Sequence, residues 1–102
     1  MRFSGDVDWW PRSLEHEVTR AVLTNDLLSL DLLESKDVKW NGKMRHTGVN
    51  RYAGSFQTRD GATAEAWGYL SGTGNERLFM GEWRQDGTDH VFVMELRANG
   101  SN

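Results

Sequence analysis

The sequence predicts an all-β fold, a small antiparallel meander closing into a barrel of about eight strands, and three observations lead there. Turn-forming residues recur at short intervals, at Asn25-Asp26, Ser35-Lys36-Asp37, Gly48-Val49-Asn50, Asp60-Gly61, Gly72-Thr73-Gly74-Asn75 and Asp86-Gly87. Asx and Gly tolerate turn dihedrals that other residues resist. The segments between them have strand lengths, and the single proline is Pro11. Within the segments apolar and polar residues alternate with the period of two that gives a strand one buried and one solvated face.

The first segment places Phe3, Gly5, Val7 and Trp9 on one face, opposite Asp6 and Asp8. The next region supports two readings. Leu14, Val18, Ala21 and Val22 follow helical spacing after a Ser13 cap, whereas Leu28, Leu30 and Leu32 alternate as a strand does. Two strands, 17–24 and 27–34, joined at Asn25-Asp26, are the preferred assignment, with a short helix over 13–24 as the alternative. From Val38 the alternation is clear: Val38, Trp40 and Met44 oppose Lys39, Asn41, Lys43 and Arg45. Tyr52, Gly54 and Phe56 then oppose Arg51, Ser55 and Gln57. Ala64, Ala66, Gly68 and Leu70 form a small face opposite Trp67 and Tyr69. Phe79, Gly81 and Trp83 oppose Glu82 and Arg84, and Phe92, Met94 and Leu96 face inward in the last segment.

One unit recurs: aromatic, any residue, Gly, any residue, apolar. It reads Phe3-Ser4-Gly5-Asp6-Val7, Trp40-Asn41-Gly42-Lys43-Met44, Tyr52-Ala53-Gly54-Ser55-Phe56 and Phe79-Met80-Gly81-Glu82-Trp83. An inward glycine leaves room for neighbouring aromatics and lets a strand bend where a sheet curls. In architecture alone this meander, with Gly-x-aromatic pairs such as Gly81-Glu82-Trp83, resembles the barrels of the avidins and lipocalins. The resemblance implies an interior that side chains fill or that holds one small ligand. No biotin-binding pattern is legible.

A chain of 102 residues supports one core; residues 1–96 are read as a single barrel domain and 97–102 as a flexible tail. There is no cysteine, which excludes disulfides and thiolate metal sites and fits a reducing compartment, with the cytoplasm as the default. No apolar run has signal-peptide or membrane-spanning character, so secretion and membrane association are not expected. A net charge of -3 argues against nucleic-acid binding. The charge is uneven: residues 1–38 hold eight acids, while Lys39, Lys43, Arg45, Arg51 and Arg59 follow with no acid between Asp37 and Asp60.

Five Trp, four Phe and two Tyr can fill the core of so short a chain or line a ligand cup. The leading expectation is a non-catalytic binding barrel with Trp9, Trp40, Tyr52, Trp83 and His90 at an open, aromatic-lined end, His90 being in phase with Phe92 and Met94. The second is a protein-interaction or accessory subunit, a homo-oligomer in its simplest form. It would use the basic 39–59 face (Lys43, Arg45, Arg51, Arg59) or the Trp67/Tyr69 face, with Trp10 exposed because adjacent Trp9 and Trp10 cannot both point inward. The third is a small hydrolase or isomerase using His90 with Glu65 or Glu95. No nucleophile elbow, phosphate loop or metal-ligand spacing is present, so no catalytic residue, metal or cofactor is assigned.

Overall fold

A computed structural model of the chain describes residues 1–10 and 15–99. It contains eight strands: β1 (Arg2–Trp10), β2 (Glu15–Leu23), β3 (Leu27–Ser35), β4 (Val38–Gly48), β5 (Arg51–Thr58), β6 (Thr63–Thr73), β7 (Glu76–Gln85) and β8 (Thr88–Ala98). Each strand pairs antiparallel with the next, and β8 pairs with β1, so the sheet is a closed up-and-down barrel. The fold read from the turn spacing is the fold adopted. Among the described residues no helix is long and apolar enough to cross a membrane.

The helical alternative over 13–24 is not adopted: residues 15–23 are strand, and residues 13 and 14 lie outside the described residues. Its apparent periodicity has a local cause. Phe3 pairs with Ala21 but Gly5 with Val18, and across the other edge Val18 pairs with Leu32 but Arg20 with Asp31. Strand β2 therefore carries one extra residue near Thr19 and Arg20 relative to both neighbours. Such a bulge lets Val18 and Ala21, three apart, both turn inward. At the other end of the chain, β8 continues through Arg97 and Ala98, which pair with Glu76 and Phe3. The strand thus runs two residues into the span expected to be a tail; residues 100–102 lie outside the described residues.

The interior is filled. Phe3, Phe56, Phe79, Phe92, Leu28, Leu30, Leu32, Met44 and Met94 are fully buried, and no polar residue is buried among the described residues. The small inward side chains of β6, Ala64 and Ala66, leave the volume that large aromatics such as Phe56 and Trp83 occupy. The inward glycines are required by close backbone approach: a Cβ on Gly54 would overlap the Lys43 carbonyl oxygen, and one on Gly81 would overlap that of Trp67. At the β7–β8 hairpin, Asp86 and Gly87 both have positive φ, 52° and 75°, the conformation that two-residue turns with the native strand twist demand.

Candidate functional site

The eight strands run alternately, so Trp9 at the end of β1 shares a barrel end with the start of β2, the end of β3, the start of β4, the end of β7 and the start of β8. There a cup of about 300 Å³ is lined by Trp9, His16, Glu34, Ser35, Trp40, Trp83, Gln85 and His90. That volume is at the lower edge of the roughly 300–1,000 Å³ of small-molecule sites.

Three indoles form its base. Trp83 stands nearly perpendicular to both flanking rings, 5.2 Å from Trp9 at 83° and 5.1 Å from Trp40 at 85°. Phe56 packs beneath Trp83 at 4.8 Å, joining the cup to the core. Edge-to-face contacts put the positive ring edge of one aromatic against the negative face of another, which holds the set in one arrangement.

Each indole N–H is engaged by a rim residue. Trp9 donates to Nδ1 of His16 at 2.7 Å, Trp40 to Glu34 at 3.1 Å and Trp83 to the side-chain oxygen of Gln85 at 3.1 Å. These bonds orient the rim as well as the rings. Accepting at Nδ1 requires the neutral His16 ring to carry its proton on Nε2, and Gln85 is left with its amide NH₂ free to donate. Burial pushes the His16 pKa below its ordinary value, with the Glu34 carboxylate acting in the opposite direction. Glu34 itself sits at a bulge, because Leu33 pairs with Lys39 and Ser35 with Val38, adjacent residues. Bulges of this kind re-aim a side chain, here toward the cup.

Of the five residues expected at an aromatic-lined end, the structure brings four together: Trp9, Trp40, Trp83 and His90. Tyr52 is at the other end of the barrel, where it packs against His46 and Phe79. Residue type alone does not point to His16, Glu34, Ser35 and Gln85 as part of the cup. The signal for three of them lay in the phase of the strands: Glu34 continues Leu28, Leu30 and Leu32, Gln85 continues Phe79, Gly81 and Trp83, and His16 precedes Val18. A polar residue that extends an inward column to a strand end is aimed at a barrel mouth.

The other expected residues are on the outer wall, except Arg59, which lies in the turn between β5 and β6 at the cup's end of the barrel. Glu65 pairs with Arg84 and Glu95 with Leu78, both outside the barrel, so neither carboxylate shares a space with His90. Lys43, Arg45, Arg51 and Arg59 are exposed. Trp67 donates to Glu82 at 3.0 Å and lies under Arg84, while Tyr69 is exposed beside it. Trp10 is half exposed, as its adjacency to buried Trp9 requires. Three other grooves are larger than the cup: about 560 Å³ along Arg20, Asp31, Asn41 and Lys43, about 520 Å³ along Arg51, Trp67 and Tyr69, and about 330 Å³ along Arg77, Leu78 and Glu95. None is lined by as many buried aromatic side chains. Among the described residues no three His, Cys, Asp or Glu converge as metal ligands. No protein-family model, no characterised relative and no solved structure matches this chain.

Proposed function

We propose that this protein is a non-catalytic binding module that takes one small ligand into the tryptophan-lined end of its barrel. The observation that carries the reading is the set of three mutually packed indoles at one mouth, each oriented by an N–H bond to a polar rim residue. A buried indole N–H needs an acceptor in any core; what goes beyond that need is that the three rings and their acceptors line an open cup. Fixing three rim side chains around an open cup is the arrangement of a site that presents apolar surface with a few placed polar groups. The cytoplasm goes with this reading, since a chain without cysteine needs no oxidising environment; fractionation of the native host checks that placement.

Native mass spectrometry of the purified protein, compared with its denatured mass, tests the function. An excess mass that disappears on denaturation is the expected result. A bare chain mass from every preparation, together with tryptophan emission indifferent to a broad panel of small molecules, would count against it.

A second reading rests on a separate observation. On the outer wall of β6, β7, β8 and β1 the register aligns Tyr69, Met80 and Val93 in one row and sets Val91 beside Trp10 in the next, with Leu78 adjoining. Five large apolar side chains there, Trp10, Tyr69, Leu78, Met80 and Val91, are each at least 40% exposed. Such a contiguous face suits a protein partner or a second copy of this chain. An integral multiple of the chain mass, lost in a Met80→Lys variant, supports it; a monomer at all concentrations removes the homo-oligomer.

A further inference from the structure

We infer that the ligand of the tryptophan cup is a small organic cation, an ammonium group carrying apolar substituents. This rests on the cup being the binding site and specifies what it holds. Three features of the cup lead there. First, Glu34 is the only carboxylate among the described lining residues, and no lysine or arginine accompanies it. Lys39, Lys43 and Arg45 on the neighbouring strand are exposed on the outer wall. Second, the indole N–H groups of Trp9, Trp40 and Trp83 are already donated to His16, Glu34 and Gln85. What the rings retain for a ligand is their apolar, π-electron surface, whose electrostatic sign attracts cations, tryptophan most strongly of the aromatics. Third, His16 accepts a hydrogen bond from the Trp9 N–H at Nδ1 and is therefore neutral in this arrangement, so it does not cancel the Glu34 charge.

The Trp40 bond uses one oxygen of Glu34 and leaves the carboxylate's remaining lone pairs for a bound ammonium. A carboxylate beside indole surface in a partly enclosed space serves a cation that is itself partly apolar. A hydrated inorganic ion would gain nothing from the rings, and an anion would face Glu34 with no compensating cation.

Choline, its neutral carbon isostere 3,3-dimethylbutan-1-ol and the anion 3,3-dimethylbutanoate share shape and differ in charge. Titrating each at about pH 8, above the ordinary histidine range, and following the five indole N–H resonances by NMR tests the inference. Choline is expected to shift Trp9, Trp40 and Trp83 while leaving Trp10 and Trp67 as internal controls. The alcohol should bind at least about tenfold more weakly and the anion not at all. Glu34→Gln keeps an oxygen for the Trp40 N–H and removes the charge, so it should weaken choline severalfold toward the alcohol, with the attraction of the rings for a cation left as the remaining difference, and leave the alcohol's own affinity unaltered.

Equal binding of choline and the alcohol, or undiminished choline binding by Glu34→Gln, overturns the cation inference and leaves the cup standing as an apolar site. Silence of all three cup indoles toward all three probes also overturns it. If the native mass likewise shows no adduct, the cup reading falls with it.

Discussion

The two ends of this barrel are built from the same eight strands and end differently. At the mouth opposite the cup four inward columns run out in buried apolar residues, Phe3, Leu28, Leu70 and Leu96, while Arg77 lies over the Phe3 ring and His46 packs against Tyr52. Backbone bonds tie that end together: the amino-terminal ammonium donates to the Leu23 carbonyl at 3.0 Å, the Leu23 N–H to Met1 at 2.9 Å and the Asn99 N–H to Arg2 at 3.0 Å. At the cup the columns change character one residue early, from aliphatic and phenyl side chains to indoles, and finish in His16, Glu34, Gln85 and His90. A barrel of about eight strands is filled by its own side chains. A ligand can therefore reach it only where an inward column is allowed to end in something other than packing. One end is capped mainly by that packing, and at the other the columns finish mainly in polar side chains around the indoles.

Four experiments sharpen the contrast, the largest effect first. Phe79→Ala removes a wholly buried ring that touches Tyr52 and Phe92, and should lower the unfolding free energy by about 3–5 kcal/mol in urea titrations. Trp40→Phe at the cup keeps an aromatic ring but deletes the N–H that Glu34 accepts. Its expected cost is only about 1–2 kcal/mol, with a change in near-ultraviolet circular dichroism as a phenyl ring replaces the indole perpendicular to Trp83. If this variant is as damaging as Phe79→Ala, the cup is core and the distinction between the ends fails.

The third experiment is a pH series. Burial lowers the His16 pKa in the folded protein below the 6.5 of the free side chain, so the unfolded chain binds more protons in the interval between the two values. Stability therefore rises with pH there, and on acidification it starts to fall as pH drops through 6.5 and goes on falling to the lower folded value. The imidazolium has no acceptor for the Trp9 N–H; Glu34 lies beside it on the next strand, β3, and His90 lies on β8, beyond β1. His16→Gln retains an acceptor and should flatten the acid side of the urea-midpoint profile; an unchanged profile would assign the acid sensitivity to another group. The smallest effect is expected at the closed end. Tyr52→Phe should cost under about 0.5 kcal/mol and leave the Trp9, Trp40 and Trp83 resonances where they are.

The fold was legible because barrel construction depends on features local in sequence: turn residues, alternation and inward glycines. Misleading spacing arose where a bulge added a residue to β2, since two inward side chains three apart look helical until the pairing partners are known. The site was half legible. Trp9, Trp40, Trp83 and His90 announce themselves by residue type and phase, yet Tyr52 has the same type and phase and stands at the other mouth. Which mouth a residue occupies depends on strand direction and on its distance from the strand end, and small errors in element boundaries blur that. Glu34 was harder to read for a further reason: it continues the inward column, yet a carboxylate beside a turn is ordinarily solvated, and the bulge at its position is not visible in the sequence.

The pairing of β8 with β1 also sets a timetable for the nascent chain. Trp10 and its partner Val91 are separated by about 80 residues, on the order of 4–16 s of synthesis at 5–20 residues per second. Throughout that interval β1 has β2 on one side and an unsatisfied row of backbone groups on the other, the kind of edge that recruits foreign strands. Asp6 and Asp8, which point outward from β1, put two negative charges along that waiting edge. In the finished barrel neither forms an ion pair among the described residues, and charges along an open edge disfavour its pairing with another strand.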